Sequence, residues 1–276
     1  LSRHLVQHHR DKGRVDHDHK WSTFGVVMNT VQKDNYQALR ITNSNSKAWN
    51  IKMLGEGSAD AGGPFRDSIS NLTEELYSKC LPLLIPTQNN KNSHGWHRDC
   101  YTIDPSSTRE SHFEMYKFLG ALMGMAFRSG TVIDLKFPPI IWKQLSGDTL
   151  TMDDLKGTDI YAVQAIQSLK ENKSKFPKEE FEMGIDLTFT TQLSNGDTVP
   201  ICEGGEDRPV CYEDVEEYCD LVLQTRFGEC RRQINKIKEG FEAIFPVGLL
   251  GLLSWKEIET RVRGPDEIRT VPICEG

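Results

Sequence analysis

The chain has 276 residues, 37% of them hydrophobic, and a mean hydropathy of -0.50. That length buries a large core without covalent staples and accommodates one large domain or two smaller ones. A formal net charge of -7 lacks the basic excess usual in nucleic-acid binders, and the longest apolar stretch, Phe113–Phe127, holds Glu114 and Lys117 and is too short to span a membrane.

Residues 1–20 carry five of the eight histidines, including His8, His9, His17 and His19. Metal binding is one reading of them; a polar flanking helix or frayed terminus is the other. The polar start shows no secretory leader. From Trp21 to Met53 the pattern gives a short helix or loop, then strands at Ala38–Thr42 and Trp49–Met53 around a turn at Asn43–Ser46. A glycine-rich acidic loop, Glu56–Gly63, leads to Pro64, which opens a helix to Cys80 with Phe65, Ile69, Leu72 and Leu76 on one face. Acidic Glu56 and Asp60 would repel a phosphate from those glycines, and their spacing is not that of a calcium loop. Asp60 is better placed to accept amide hydrogens at the helix start.

The polar segment Pro86–His97 reads as a loop, disordered in part, and Cys100–Ile103 as a short strand before a turn at Asp104–Ser107. Glu110–Arg128 is a strongly apolar helix in which Gly120 and Gly124 admit a close neighbour. Helices follow at Pro138–Leu145 and Thr158–Leu169, the second capped by Thr158 or Asp159. Glu171–Lys175 reads as a charged linker. Ile185–Phe189 alternates as a half-buried strand, Asn195-Gly196 turns a hairpin, and Thr198–Cys202 returns. Gly204–Pro209 is a second loop. Val215–Arg226, Arg231–Phe245 and Leu249–Val262 are helical. The word T-V-P-I-C-E-G stands at Thr198–Gly204 and again at Thr270–Gly276, and physical chemistry supplies no reason for it.

The seven cysteines form no C-x-x-C pair and read as reduced thiols of a cytoplasmic or nuclear protein. Cys80 reads as packing. Cys230 precedes Arg231-Arg232, which would favour its thiolate, but a surface helix position explains it as well.

Several words in this series share one order. Asp60-Ala61-Gly62-Gly63-Pro64 with Arg66, the stretch His112–Asp134, Leu135-x-Phe137, Leu150 with Asp154-Leu155, Leu187-Thr188-Phe189, Glu217-Tyr218 with Leu221, and Phe241 near Pro246 resemble the signature of HECT-type ubiquitin ligases, in the D-A-G-G form of the very large members. The resemblance runs from about Trp49 to about Ile268. It implies an α+β fold: a mainly helical HECT N-lobe with a small α/β subdomain inserted. Residues 1–20 would flank it, 21–156 and 228–268 would form the large subdomain, 157–227 the small one, and 269–276 a tail.

In that family the small subdomain docks a ubiquitin-charged conjugating enzyme, and a cysteine in a second, C-terminal lobe accepts the ubiquitin before a substrate lysine does. The docking residues implied here are Ala162, Ile166, Leu169, Ile185, Leu187, Tyr218 and Val222; the alternative is that these are core. Cys274, in P-I-C-E-G, lacks the family's threonine and asparagine neighbours, so this chain alone is expected to form no thioester. The partners implied are a conjugating enzyme, ubiquitin, and substrates held by regions outside these residues, with no cofactor, nucleic acid or membrane. The competing reading is a non-catalytic adaptor for a conjugating enzyme or another protein.

Overall fold

The structure, a computed structural model, describes residues 3–50 and 63–265. It is α+β and mainly helical, and its centre is a crossing of two helices. Helix α5 (Glu110–Ser129) is buried on nearly every side and stops at Gly130, whose φ of 74° ends the helical run. The partner across it, here called the C-terminal crossing helix, spans Arg231–Ile244 and turns Ile234, Ile237, Phe241 and Ile244 inward. Glycines allow the contact. A methyl group on Gly120 would come within 3.0 Å of the Ile237 backbone, and one on Gly240 would meet the Lys117 carbonyl equally closely. The backbones therefore touch where side chains would normally hold them apart.

The N-terminal third wraps this pair. Helix α1 spans Arg3–Asp11, α2 spans Thr23–Val31 and α3 spans Gly63–Tyr77. The α3 residues Phe65, Ile69, Leu72 and Leu76 are all buried. The acidic loop that leads into α3, with Asp60, Ala61 and Gly62, lies outside the described residues. From α3 the fully buried Glu75 carboxylate accepts the first amides of α2, from Thr23 at 2.8 Å and Phe24 at 2.7 Å, while Arg10 of α1 stands 3.4 Å away. Asp16, also buried, accepts the amides of Lys20, Trp21 and Ser22 and the Ser22 hydroxyl. These bonds tie the segment from Arg10 to Phe24 to α3. The histidines there separate: His9 stacks on Trp21, His19 pairs with Asn29, and the His17 ring lies 3.1 Å from the ring of His112 on α5.

Two expected strands need correction. Ala38–Thr42 is a tight 3-10 turn over Gln37–Leu39 followed by coil, because Asn35 and Tyr36 take left-handed φ values of 54° and 62° and bend the chain away from an extended course. Trp49 and Asn50 are not in a strand either, and Ile51–Met53 lie outside the described residues. Trp49 instead packs edge-on against Phe65 and donates to the Ser68 hydroxyl at 3.0 Å.

Strand β1 (Leu84–Pro86) pairs antiparallel with β2 (Tyr101–Ile103). The segment between them is ordered, contrary to the sequence expectation. Thr87 caps a short helix, α4 (Gln88–Lys91), and Asn89 within it is completely buried. Helix α6 (Pro139–Ser146) starts on proline, and α7 (Met152–Lys156) is closed by a reciprocal cap between Thr151 and Asp154.

A second apolar cluster then gathers Ile166, Leu169, Phe181, Phe189, Val210, Val215, Cys219 and Val222. It is built from α8 (Ile160–Lys175), α9 (Lys178–Met183), the hairpin of β3 (Thr190–Gln192) and β4 (Thr198–Pro200), and α10 (Val215–Gly228). Helix α8 runs through Glu171–Lys175, the expected linker, with Lys175 paired to Glu171 one turn back at 3.0 Å. The expected strand at Ile185–Phe189 is also displaced: the ladder begins at Thr190, and upstream only Thr188 bridges Pro209. On either side of that bridge the Phe189 amide donates to the Arg208 carbonyl at 2.9 Å and the Val210 amide to the Leu187 carbonyl at 2.8 Å. The chain returns through the crossing helix, numbered α11 (Arg231–Ile244) in chain order, and closes with a 3-10 segment and α12 (Trp255–Arg263), ended by Gly264.

Replacing Gly240 by alanine forces the two central backbones apart and is expected to lower unfolding stability by roughly 3 kcal/mol; an unchanged denaturation midpoint would refute the backbone contact. His112 is buried, and burial, followed by the positive charges of His17 and Arg109, pushes its pKa down from 6.5 to about 4. The unfolded chain therefore binds a proton near pH 6.5 that the folded chain refuses until about pH 4. Stability should fall as pH drops through that window, and His112→Phe should flatten the difference in parallel denaturation series.

Candidate functional site

One groove of about 540 Å³ opens on the second apolar cluster, where it faces the α4 segment. Its first wall is one face of α8. Helical spacing brings Tyr161, Ala162, Ala165, Ile166 and Leu169 to that face, and the Asp159 carboxylate caps the helix by accepting the Ala162 amide at 3.0 Å. The second wall is α10, where Tyr218, Val222 and Arg226 repeat every four residues. Leu187 and the hairpin residues Thr190, Thr191, Gln192 and Thr198 close one end. Gln88 and Asn92, from the α4 segment beside the first cluster, close the other.

Six of the seven residues singled out in the sequence line this groove: Ala162, Ile166, Leu169, Leu187, Tyr218 and Val222. Ile185 does not; it is half-buried and packs against the second cluster. Ile166, Leu169 and Val222 serve the core and the groove floor together, so the two readings of them are compatible. Leu187 is 40% exposed. The Tyr218 ring packs edge-on against Phe189, its hydroxyl donates to the Thr190 carbonyl at 3.1 Å, and burial pushes its pKa up, so it remains a proton donor. Tyr161 and Ala165 could have been found by helical spacing from Ala162 and Leu169. Gln88 and Asn92 could not, because their segment is distant in sequence and polar throughout.

The charged part of the floor is neutralised internally. Buried Arg226 lies 3.0 Å from Asp159 and 3.4 Å from Glu229. Glu229 in turn accepts the Ser194 amide at 3.1 Å and the Ser194 hydroxyl. The Ser194 carbonyl accepts from Gln88 at 3.1 Å and Lys91 at 3.2 Å. Nearby, Asn89 donates to the carbonyls of Lys156 and Trp96 and accepts the Ile160 amide at 2.9 Å. A polar seam thus joins the hairpin, α10 and α8 to the α4 segment.

The groove lining contains no cysteine or histidine. It can receive an apolar side chain and offers neither a thiol nor an imidazole. Elsewhere Cys80, Cys100, Cys219 and Cys230 are buried, and burial pushes each thiol up, Cys100 to about 12. The surface position expected for Cys230 is overturned: it is 4% exposed and its thiol points at the Ile103 carbonyl. Burial comes first in raising its pKa, the carboxylates of Glu229 and Asp104 add to it, and the opposing charge is that of Arg226 rather than of the two arginines that follow. Cys274 lies outside the described residues. Among the described residues no helix is long and apolar enough to cross a membrane.

The HECT-domain (ubiquitin-transferase) family profile matches residues 70–273. E3 ubiquitin-protein ligase HERC2 of Mus musculus is 31% identical over 269 residues, 97% of this chain and 5% of that protein; the Homo sapiens protein of the same name matches to the same extent. E3 ubiquitin-protein ligase RSP5 of Emericella nidulans is 26% identical over 88% of this chain and 29% of its own length. The chain therefore spans a minor part of these curated relatives.

Removing Arg226 alone strands two buried carboxylates. Arg226→Met is expected to cost about 3 kcal/mol, and adding Asp159→Asn and Glu229→Gln to it should recover much of the loss. Denaturation of the three proteins checks this; a single variant as stable as the parent contradicts the pairing.

Proposed function

The chain belongs to the HECT-domain family of ubiquitin transferases, and from that premise we propose that its own share of the reaction is to hold a ubiquitin-charged conjugating enzyme. Residues 157–227 are the docking subdomain in this reading, carried by a large subdomain of residues 21–156 and 228–268. The groove formed by Ala162, Ile166, Leu169, Leu187, Tyr218 and Val222 receives an apolar loop of the enzyme, with Ile185 supporting it from behind. The observation that carries this is the convergence of α8, α10 and Leu187 on a concave lining whose only charged floor groups, Asp159 and Arg226, cancel each other. Exposed and half-exposed apolar groups in such a pocket give most of an interface's binding energy.

The chemical step is assigned to a cysteine outside this chain. The four buried thiols resist ionisation, and the half-buried Cys202 and Cys211, like Cys274, lack the threonine and asparagine neighbours of the family's acceptor. The contribution of this chain is proximity: a held donor thioester reacts with a nearby thiol as if at high local concentration. Ubiquitin passes from the donor to that thiol and then to a lysine on substrates held by other regions, in the cytoplasm.

Tyr218→Ala should weaken binding to a conjugating enzyme about tenfold, as loss of an aromatic anchor does, while thermal unfolding shows one cooperative transition as in the parent. Titration against a panel of conjugating enzymes tests it. Failure of the parent chain to bind any of them, or equal affinity of the variant, refutes the docking role.

A further inference from the structure

The stretch Ser93–Arg98 is held in a costly conformation and buries little. Ser93, Gly95 and His97 take left-handed φ values of 51°, 79° and 53°, two of them in residues that carry a Cβ. Buried Asn89 enforces this shape: its side chain donates to the Trp96 carbonyl at 3.0 Å, its carbonyl accepts the His94 amide at 3.0 Å, and a methyl on Gly95 would strike its amide group. Yet what the turn displays is exposed. Trp96 is 55% accessible, and the Lys156 ammonium sits 4.9 Å above its ring, fixing the indole. His94 stacks on Tyr161, 49% accessible, with ring centres 5.6 Å apart. Tyr161 lines the groove itself. His94 therefore reaches the groove through one stacked pair, and Trp96 is displayed two residues further along the same turn.

Charge separates this shelf from the rest of an acidic chain. Residues 88–98 contain Lys91 and Arg98 and no carboxylate, and Lys156 lies over the indole; Asp99 and Asp153 flank the shelf in sequence. We propose that Trp96, His94 and Tyr161 form a second contact shelf for the conjugating enzyme seated in the groove, receiving an apolar side chain flanked by carboxylates. This rests on the docking role proposed above and extends it: the enzyme would touch the second cluster and the turn that follows α4 at once, on both sides of the polar seam. Rigid presentation of an exposed tryptophan lowers the ordering cost of such a contact.

The test is titration of the 276-residue chain with the conjugating enzyme that binds it best, comparing the parent with Trp96→Ala, Lys156→Glu and Tyr218→Ala. Trp96→Ala and Lys156→Glu are each expected to weaken binding about fivefold or more. Raising sodium chloride from about 0.05 M to about 0.5 M should weaken the parent more than Lys156→Glu. Both side chains lie at the surface, and a thermal melt confirms that the variants fold. If either shelf variant binds as the parent does while Tyr218→Ala is weakened, the shelf is overturned and the groove stands. If the parent binds no conjugating enzyme, or Tyr218→Ala matches it, the groove reading fails and the shelf falls with it.

Discussion

The contact at Gly120 and Gly240 is the constraint on which the remaining architecture rests. Two helices separated by a hundred residues of sequence can approach backbone to backbone only where both lack side chains. Packing at that distance places Phe118, Leu119, Leu122, Ile237 and Phe241 in one tightly filled interior. It also fixes where the chain must return after building the second cluster. Everything from α6 to α10 is suspended between two helices that are locked together, so the second cluster can elaborate a surface without supplying the stability of the centre.

That separation explains the contrast between the two kinds of contact around the groove. The walls are apolar and open, whereas the seam behind them is polar and satisfied. Asn89 uses its amide, both ends of its side chain and its carbonyl to bind neighbours on both sides of the seam. Arg226 meets two carboxylates. Ion pairs of this kind add little net stability over a well-packed apolar core, but a mispaired arrangement strands charge. The seam therefore penalises every relative placement of the two clusters except the one in which its partners meet, and the groove inherits that geometry.

Much of this was legible in the sequence, and the failures have physical causes. Helices α3, α5, α6 and α11 show an apolar period bounded by proline or glycine, and each appeared where expected. The end of α8 was misread because Glu171–Lys175 is solvated, and exposed helical residues leave no apolar mark. Pro86–His97 looked structureless because what orders it is Asn89, whose partners at Lys156, Thr158 and Ile160 are seventy residues away. The position of β3 was lost because Ile185 and Leu187 alternate like a strand, whereas the pairing there is a single bridge between Thr188 and Pro209 and the ladder with β4 starts only at Thr190. For the groove, the residues of α8 and α10 came from the family resemblance, and helical spacing is compatible with them. Ile185 turned inward instead, and the α4 wall had no local signature at all.

The pairing of Asp159 with Arg226 has a further consequence. These residues stand just before α8 and near the end of α10, so the stretch between them leaves and re-enters the molecule at a single closed gate. The loop at Gly204–Pro209 lies inside that gate and away from its two partners, whereas the turn at Asn195-Gly196 adjoins Ser194, which bonds Gln88, Lys91 and Glu229 outside it. A chimaera cut just outside Asp159 and Glu229 would carry its matching electrostatic clasp along with it.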